Sequence, residues 1–286
     1  PAWVKFAETY YPEQLDHLSS CKSPHQMFGA ILKSYYAKKE KINPEKICVV
    51  SVMPCIAKKY ESSRPEMKVE GLKDVDYVIT TRELSRMIKQ ANIEFTQLED
   101  TLFDNPMGEA SGAGAIFGTT GGVMEAALRT AQDTITGKEL KEIDFKEVRG
   151  DKRIKKATVN INGKDIKVVA VSGLKNAKTI MDEIKSGKAD YHFVEIMACP
   201  GGCIMGGGQP IKNSKTLSEV NVKKLRSEAL YSIDEKSIIR KSHENPIIKT
   251  IYEEYLAEPG SYRAHKLLHT NYTKKLKYKD SIFSED

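Results

Sequence analysis

Two cysteines four residues apart, Cys199 and Cys203, sit in a glycine-rich stretch, FVEIMACPGGCIMGGGQP, at positions 193–210. Thiolate is the soft ligand that iron–sulfur clusters select. Glycines on both sides let the backbone fold round an inorganic core and aim amide N–H groups at its sulfides. A third cysteine, Cys55, lies far upstream in VMPCIAKKYE, positions 52–61. Cysteine elements so widely separated argue for a cluster that bridges distant parts of the chain. A local zinc knuckle would show paired Cys or Cys/His at both ends. The other two cysteines read more plainly: Cys48 within ICVV as a small buried hydrophobe, and Cys21 as a loop thiol.

The elements that position these cysteines follow from pattern. Residues 2–10 place Trp3, Phe6, Ala7 and Tyr10 on one helical face. The Ser23-Pro24 pair opens a second helix, with Ser23 a candidate cap and Met27, Phe28, Ile31, Leu32 and Tyr35 as its buried stripe. Residues 47–53 read as a buried strand that delivers Pro54 and Cys55 at its end, and 77–80 as a strand running into a helix. The stretch SGAGAIFGTTGG, 111–122, reads as a glycine-rich loop continued by a helix over 123–135. A hairpin is predicted over 154–161 and 164–172, joined at Asn162-Gly163, the pair that type I′ turns prefer. A helix near 176–184 precedes a strand at 191–196, whose end delivers Cys199. Lys59, Lys155 and Lys156 read as solvated surface charge. The Lys-rich stretch after Pro210 reads as a linker, and helices near 222–230 and 246–256 as a helical tail.

Composition bounds the possibilities. A chain of 286 residues makes one large domain or two intimate lobes the expectation. Its 40% hydrophobic and 29% charged residues suit a globular protein in water. The formal charge of +6 is mild and its basic residues are spread out, so no nucleic-acid partner is implied. No apolar run spans a bilayer and no secretory segment is evident, which predicts a cytoplasmic or peripheral protein. Five cysteines, odd and sparse, favour a reducing compartment and a metal or reactive role over a disulfide framework. The expected fold class is α/β: two sheet-containing lobes flanked by helices, a metal cluster in the interlobe cleft, and a helical C-terminal tail.

Three elements in one order, MPCIAKKYE, SGAGAIFGTTGGVMEAALRT and EIMACPGGCIMGGGQP, carry a resemblance to the catalytic domain of FeFe hydrogenases. The segments RKSHENP and AHKLLHTNYTKK resemble that family's C-terminal part, which some members carry as a separate small subunit. Residues 1–214 therefore correspond to the catalytic core and 215–286 to the small-subunit segment. In this family a Thr-Ser-Cys-Cys-like element precedes the segment that PAWVKFAE resembles. Its second cysteine is a cluster ligand and its first relays protons. Both fall just before Pro1, so the core is expected to be N-terminally incomplete, with the fourth ligand supplied by an upstream part or a complementing chain.

The resemblance implies a 4Fe-4S cluster held by Cys55, Cys199 and Cys203, bridged through Cys203 to a 2Fe subcluster with carbonyl, cyanide and dithiolate ligands. It implies that Lys58 hydrogen-bonds a cyanide, and on that reading its ammonium should lack a protein carboxylate partner, because the cyanide is the anion that offsets its burial. Met53 and Met197 would line the metal pocket with deformable side chains, and Phe117 would add an apolar wall. Ser23 would donate to the other cyanide and Ser19 would relay protons. Pro54 and Gly202, beside the cluster cysteines, would contact the cofactor. His25 stands where relatives often have Gln and is expected at the pocket, whereas the remaining histidines read as structural or surface groups. The implied activity is reversible heterolysis of dihydrogen. Electrons would pass to a ferredoxin-like carrier or a missing N-terminal iron–sulfur domain, and maturation proteins would build the 2Fe site. The competing readings are a hydrogenase-like iron–sulfur assembly or carrier protein, and an inactive or sensory hydrogenase-like domain. The intact MPCIAKKYE and IFGTTGG elements and the long tail favour the hydrogenase.

Overall fold

The computed structural model describes residues 1–140 and 142–277. The chain divides into two compact units: Pro1–Thr80 together with everything from Thr250 onward, and Thr81–Lys249. The 215–286 segment is thus shared between the units.

In the first unit, α1 (Ala2–Tyr10) lines up Trp3, Phe6 and Tyr10, with successive ring centroids 6.1 and 5.0 Å apart. Helix α2 (Pro24–Ile31) starts with proline at its first helical position, where the missing N–H costs nothing. It continues through a π turn, Leu32–Tyr36, into α3 (Ala37–Lys39). Ile31 and Tyr35 of the expected stripe are buried, but Phe28 is 49% exposed. The buried face belongs instead to His25, Gln26, Gly29 and Ala30. Gly29 sets that rotation, because a Cβ there would lie 2.0 Å from the Asp74 carbonyl oxygen.

Strand β1 (Val50–Met53) leads to α4 (Ala57–Ser63), the small antiparallel pair β2 (Lys68–Val69) and β3 (Leu72–Lys73), and β4 (Tyr77–Thr80), which pairs in parallel with β1. β1 is shorter than expected and not a buried strand. Val50 and Val52 are 52% and 42% exposed, and its inward face carries Ser51 and Met53 instead. Cys48, read as buried, is exposed, because the extended segment before β1 turns Val49 rather than its neighbour into the small core with Val75 and Val78. A buried pair, Lys22 and Asp74 at 2.8 Å, fastens the start of α2 to the approach to β4.

The second unit begins with α5 (Thr81–Gln90), whose Arg82 donates to the carbonyls of Gly207, Gly208 and Gln209 and so fixes the GGGQP loop. The SGAGAIFGTTGG stretch is not all loop. It forms a short helix α6 (Gly112–Ile116) and a turn, before α7 (Gly122–Thr136). The hairpin β5 (Ile154–Ile161) and β6 (Lys164–Ser172) has the expected bounds, with Asn162 and Gly163 at φ 52° and 79°, as a type I′ turn demands. Helix α8 (Leu174–Lys185) crosses to β7 (Phe193–Met197), parallel to β6. Met124, Leu128, Phe145, Val148, Val159, Ile161 and Val168 form the core between α7 and the hairpin. The expected linker holds α9 (Ser214–Glu219), followed by α10 (Val222–Lys236).

Two buried charge networks hold this unit. Arg129, fully buried on α7, donates through Nη1 and Nη2 to Asp234 of α10, at 2.8 Å each, and through Nη2 to Glu125 at 2.8 Å. Arg240 adds a bond of 2.6 Å to Asp234. Gly112 completes the joint, since a Cβ there would lie 2.3 Å from Asp234 Oδ1. The second network centres on Glu195 of β7, whose carboxylate accepts from the amides of Gly121 at 2.6 Å and Met124 at 2.8 Å, at the N-terminus of α7. Burial pushes this carboxyl above its ordinary range, against the pull of those amides and of Lys155. Lys155, read from sequence as surface charge, is 4% exposed and donates to the Thr120 carbonyl at 2.6 Å. It occupies the inward face of β5 with Ala157, Val159 and Ile161. Burial lowers its pKa to about 8.

The chain returns to the first unit through α11 (Pro246–Ile251), a π turn at Tyr252–Leu256 and α12 (Tyr262–Leu268). An extended strap follows. Its Thr270 amide donates to the Ser20 carbonyl, Tyr272 Oη to the Ser19 carbonyl, and the Thr273 and Lys275 amides to Glu8. No helix among the described residues is long and apolar enough to cross a membrane.

Two outcomes are expected. Asp234→Asn should lower unfolding stability by about 3 kcal/mol or more in urea titration, because it leaves Arg129 short of a buried countercharge. For Lys155 the folded pKa lies below the unfolded value, so between about pH 8 and 10.5 the unfolded chain holds a proton that the folded chain has lost. Stability from this group therefore rises with pH across that window, and the wild-type minus Lys155→Met difference in thermal midpoint should rise with it.

Candidate metal centre

Cys199 and Cys203 share one turn at the end of β7. The Gly202 amide donates to the Cys199 carbonyl at 3.1 Å, and the Gly206 amide to the Cys203 carbonyl at 2.9 Å. Gly201 and Gly202 adopt φ of 86° and 88°, where L side chains are strained. At Gly202 space forbids a side chain as well, since a Cβ would lie 2.9 Å from both the amide nitrogen and Oγ1 of Thr120. The Ile204 amide donates to the Gly118 carbonyl at 3.0 Å. The IFGTTGG turn therefore supports the cysteine turn from beneath, and Glu195 pins the same turn two residues before Met197. Met197 is buried and Phe117 half-buried.

Cys55 belongs to the first unit, two residues after β1 ends, with Pro54 between. Cys55, Cys199 and Cys203 are each half-buried and none of the chain's cysteines forms a disulfide. Thiolates at such positions, on turns rather than in a packed core, suit soft metal ions. Gly202's forced lack of a side chain lets the cysteine turn pack directly on Thr120. These observations fit an iron–sulfur group.

Beside Cys55 lies a cluster that pattern reasoning missed. Lys58 and Glu61 share a face of α4, three residues apart. Glu61 Oε2 accepts from His25 Nε2 at 2.7 Å, Ser23 Oγ at 2.7 Å and Lys58 Nζ at 3.3 Å, and His25 Nδ1 meets Ser51 Oγ at 2.8 Å. Burial alone would raise the Glu61 pKa, but the His25 hydrogen bond and the Lys58 charge outweigh it and hold the carboxyl well below the usual range. For His25 burial wins, and its pKa falls below the ordinary histidine range. The imidazole is thus neutral near pH 7.

This corrects the expectation that Lys58 lacks a carboxylate partner. The lysine is drawn inward, with its side chain 13% exposed, and Glu61 supplies the countercharge that its burial requires. Ser23 does not cap α2; its hydroxyl is directed to Glu61. Met53 is half-buried at the end of β1. Ser19 is exposed, its Oγ accepting from the Cys21 amide at 3.3 Å, and Cys21 is an exposed loop thiol as expected. His25 is the site histidine, whereas His243 bonds Thr130 and Asp133, and His265 stacks on His269. The grouping of Asp133, His243 and Glu244 already holds a cation, the Lys241 ammonium, at 2.7 Å from Asp133 and 3.1 Å from Glu244.

Residues 1–207 match the family described as iron only hydrogenase large subunit, C-terminal domain, and residues 220–275 match iron hydrogenase small subunit. Iron hydrogenase 1 of Clostridium pasteurianum is 50% identical over 96% of this chain and 48% of its own length. Cytosolic iron-sulfur assembly component 3 of Bos taurus is 32% identical over 95% of this chain and 57% of its own. The apo [FeFe]-hydrogenase HydA1 of Chlamydomonas reinhardtii, variant C377H, superposes with a TM-score of 0.82 at 40% identity, covering 97% of this chain and 75% of that one. The chain spans about half the length of the curated relatives it matches. On these matches, and on the α/β fold that accompanies them, the chain belongs to the iron-only hydrogenase large-subunit family.

Proposed function

We propose that this chain is the catalytic portion of an FeFe hydrogenase, its core corresponding to residues 1–214 and its small-subunit segment to 215–286. Two observations carry the reading: a cysteine turn whose Gly202 packs directly on Thr120 of the IFGTTGG turn, and a half-buried, inward-drawn Lys58 three residues after Cys55. When bound, the iron–sulfur and di-iron group supplies reversible heterolysis of dihydrogen and the path for its electrons.

The chain's own residues hold and shield that group. Cys55, Cys199 and Cys203 would hold it as thiolate ligands, and Cys203 would be the one shared with the 2Fe part. Lys58 offers ammonium hydrogens to a cyanide, and Ser23 offers its hydroxyl to the second, turning from Glu61 to do so. Met53, Met197 and Phe117 exclude water, and Pro54 and Gly202 give close backbone contact. Ser19 passes protons toward solvent. The fourth ligand and the relay cysteine come from an upstream segment or a complementing chain. Maturation proteins install the 2Fe site and a ferredoxin-like carrier exchanges electrons.

A second reading, an iron–sulfur assembly or carrier protein without the 2Fe site, is favoured only by the 32% identity to the assembly component. Infrared spectroscopy and iron analysis after anaerobic maturation separate the two. With the upstream cysteine segment supplied, metal-bound carbonyl and cyanide bands and hydrogen evolution are expected. Residues 1–286 alone should retain less iron and evolve little hydrogen. Iron without carbonyl or cyanide bands would select the assembly reading, and full activity from residues 1–286 alone would overturn the ligand assignment.

A further inference from the structure

Glu61 is held before Lys58 reaches it. Its Oε2 takes two short bonds, from His25 Nε2 and Ser23 Oγ at 2.7 Å each, and one longer contact from Lys58 at 3.3 Å. These donors come from α2 and from the residue that precedes it, whereas Glu61 and Lys58 lie on α4 and Ser51 on β1. An ionised carboxylate only accepts, so His25 Nε2 carries the hydrogen and neutral Nδ1 accepts from the Ser51 hydroxyl. The groups fix one another: the carboxylate sets the imidazole tautomer, Ser51 holds the other ring nitrogen, and the imidazole so held fixes the carboxylate that Lys58 meets. Glu61 and His25 are 6% and 7% exposed, so water does not compete for these bonds. One long contact leaves the remaining ammonium hydrogens of Lys58 for a ligand.

We propose that Glu61, anchored by the Ser51–His25 relay, is a positioning residue that aims Lys58 at the anionic ligand of its pocket. The inference rests on the reading of Lys58 as the partner of a metal-bound cyanide. It also accounts for histidine at position 25: what Glu61 requires there is a buried N–H donor, which a glutamine amide also provides and a leucine does not.

The test uses the full chain with its upstream segment, carrying the cube and then loaded with the 2Fe subcluster. The readouts are bound iron, the infrared cyanide bands and the thermal midpoint. Glu61→Gln and His25→Leu should retain the subcluster about tenfold or more weakly, the range seen when a residue supporting a metal site is lost. Their cyanide band should shift, and His25→Gln should recover wild-type retention. In cofactor-free protein, the His25 ring followed by NMR should titrate higher in Lys58→Met, where a nearby positive charge is gone, and lower in Glu61→Gln. Should Glu61→Gln fail to fold, the contrast between His25→Leu and His25→Gln carries the test. Wild-type retention and unshifted bands in His25→Leu, with Lys58→Met defective, would overturn the inference and leave the hydrogenase reading intact. Absence of carbonyl and cyanide bands from the wild-type protein would overturn both.

Discussion

A single buried carboxylate, Glu195, sets the geometry of the cysteine turn. Both its oxygens are bound by amides at the start of α7, so the strand that ends in Met197 and the helix that begins at Gly122 are locked in one register. Without that lock the Gly202 backbone could not be held against Thr120, nor the Ile204 amide against Gly118. The arrangement places a desolvated anion on a helix N-terminus, where the macrodipole and a buried lysine offset its burial. The Arg129–Asp234 network extends the same logic to α10, so the turn rests on a frame of paired charges as well as on apolar packing.

The first unit uses a different device. Its β1–β4 pair is short and its apolar core small, with Val49, Val75 and Val78 at the centre. Specificity there comes from buried polar joints: Lys22 with Asp74, Arg64 with Glu8, and His25 with Glu61. Each joint ties residues far apart in sequence, and Glu61 of the last also meets Lys58 at 3.3 Å.

Much of this was legible in the residues. The Asn162-Gly163 turn gave both hairpin strands to the residue, because a type I′ turn admits few other pairs and alternation does the rest. The soft-ligand cysteines and their flanking glycines declared a metal chemistry by type alone. What escaped was set by tertiary partners. Phe28 sits at a helical spacing that predicts burial, yet Gly29 turned the helix by pressing its backbone on Asp74. Ser23 had every feature of a cap and found a carboxylate instead. Lys155 has the charge of a surface residue, yet it shares the inward parity of Ala157, Val159 and Ile161 on β5. Glu61 was visible as the third residue after Lys58 on one helical face, but a Lys–Glu spacing is common on solvated helices, and only the burial of His25 distinguishes this one.

The path of the chain through its two units imposes an order on assembly. Residues 81–249 are contiguous and hold both of their buried charge networks within themselves. They can close while the rest is still being synthesised, as compact units do on the ribosome. The first unit cannot. Glu8 keeps an oxygen and its own carbonyl for Thr273 and Lys275, which are made only after residues 81–249. The α1 helix and the Ser19 loop therefore wait, partly unpaired, until residues 81–249 have been made, and the first unit that carries Cys55 closes after them.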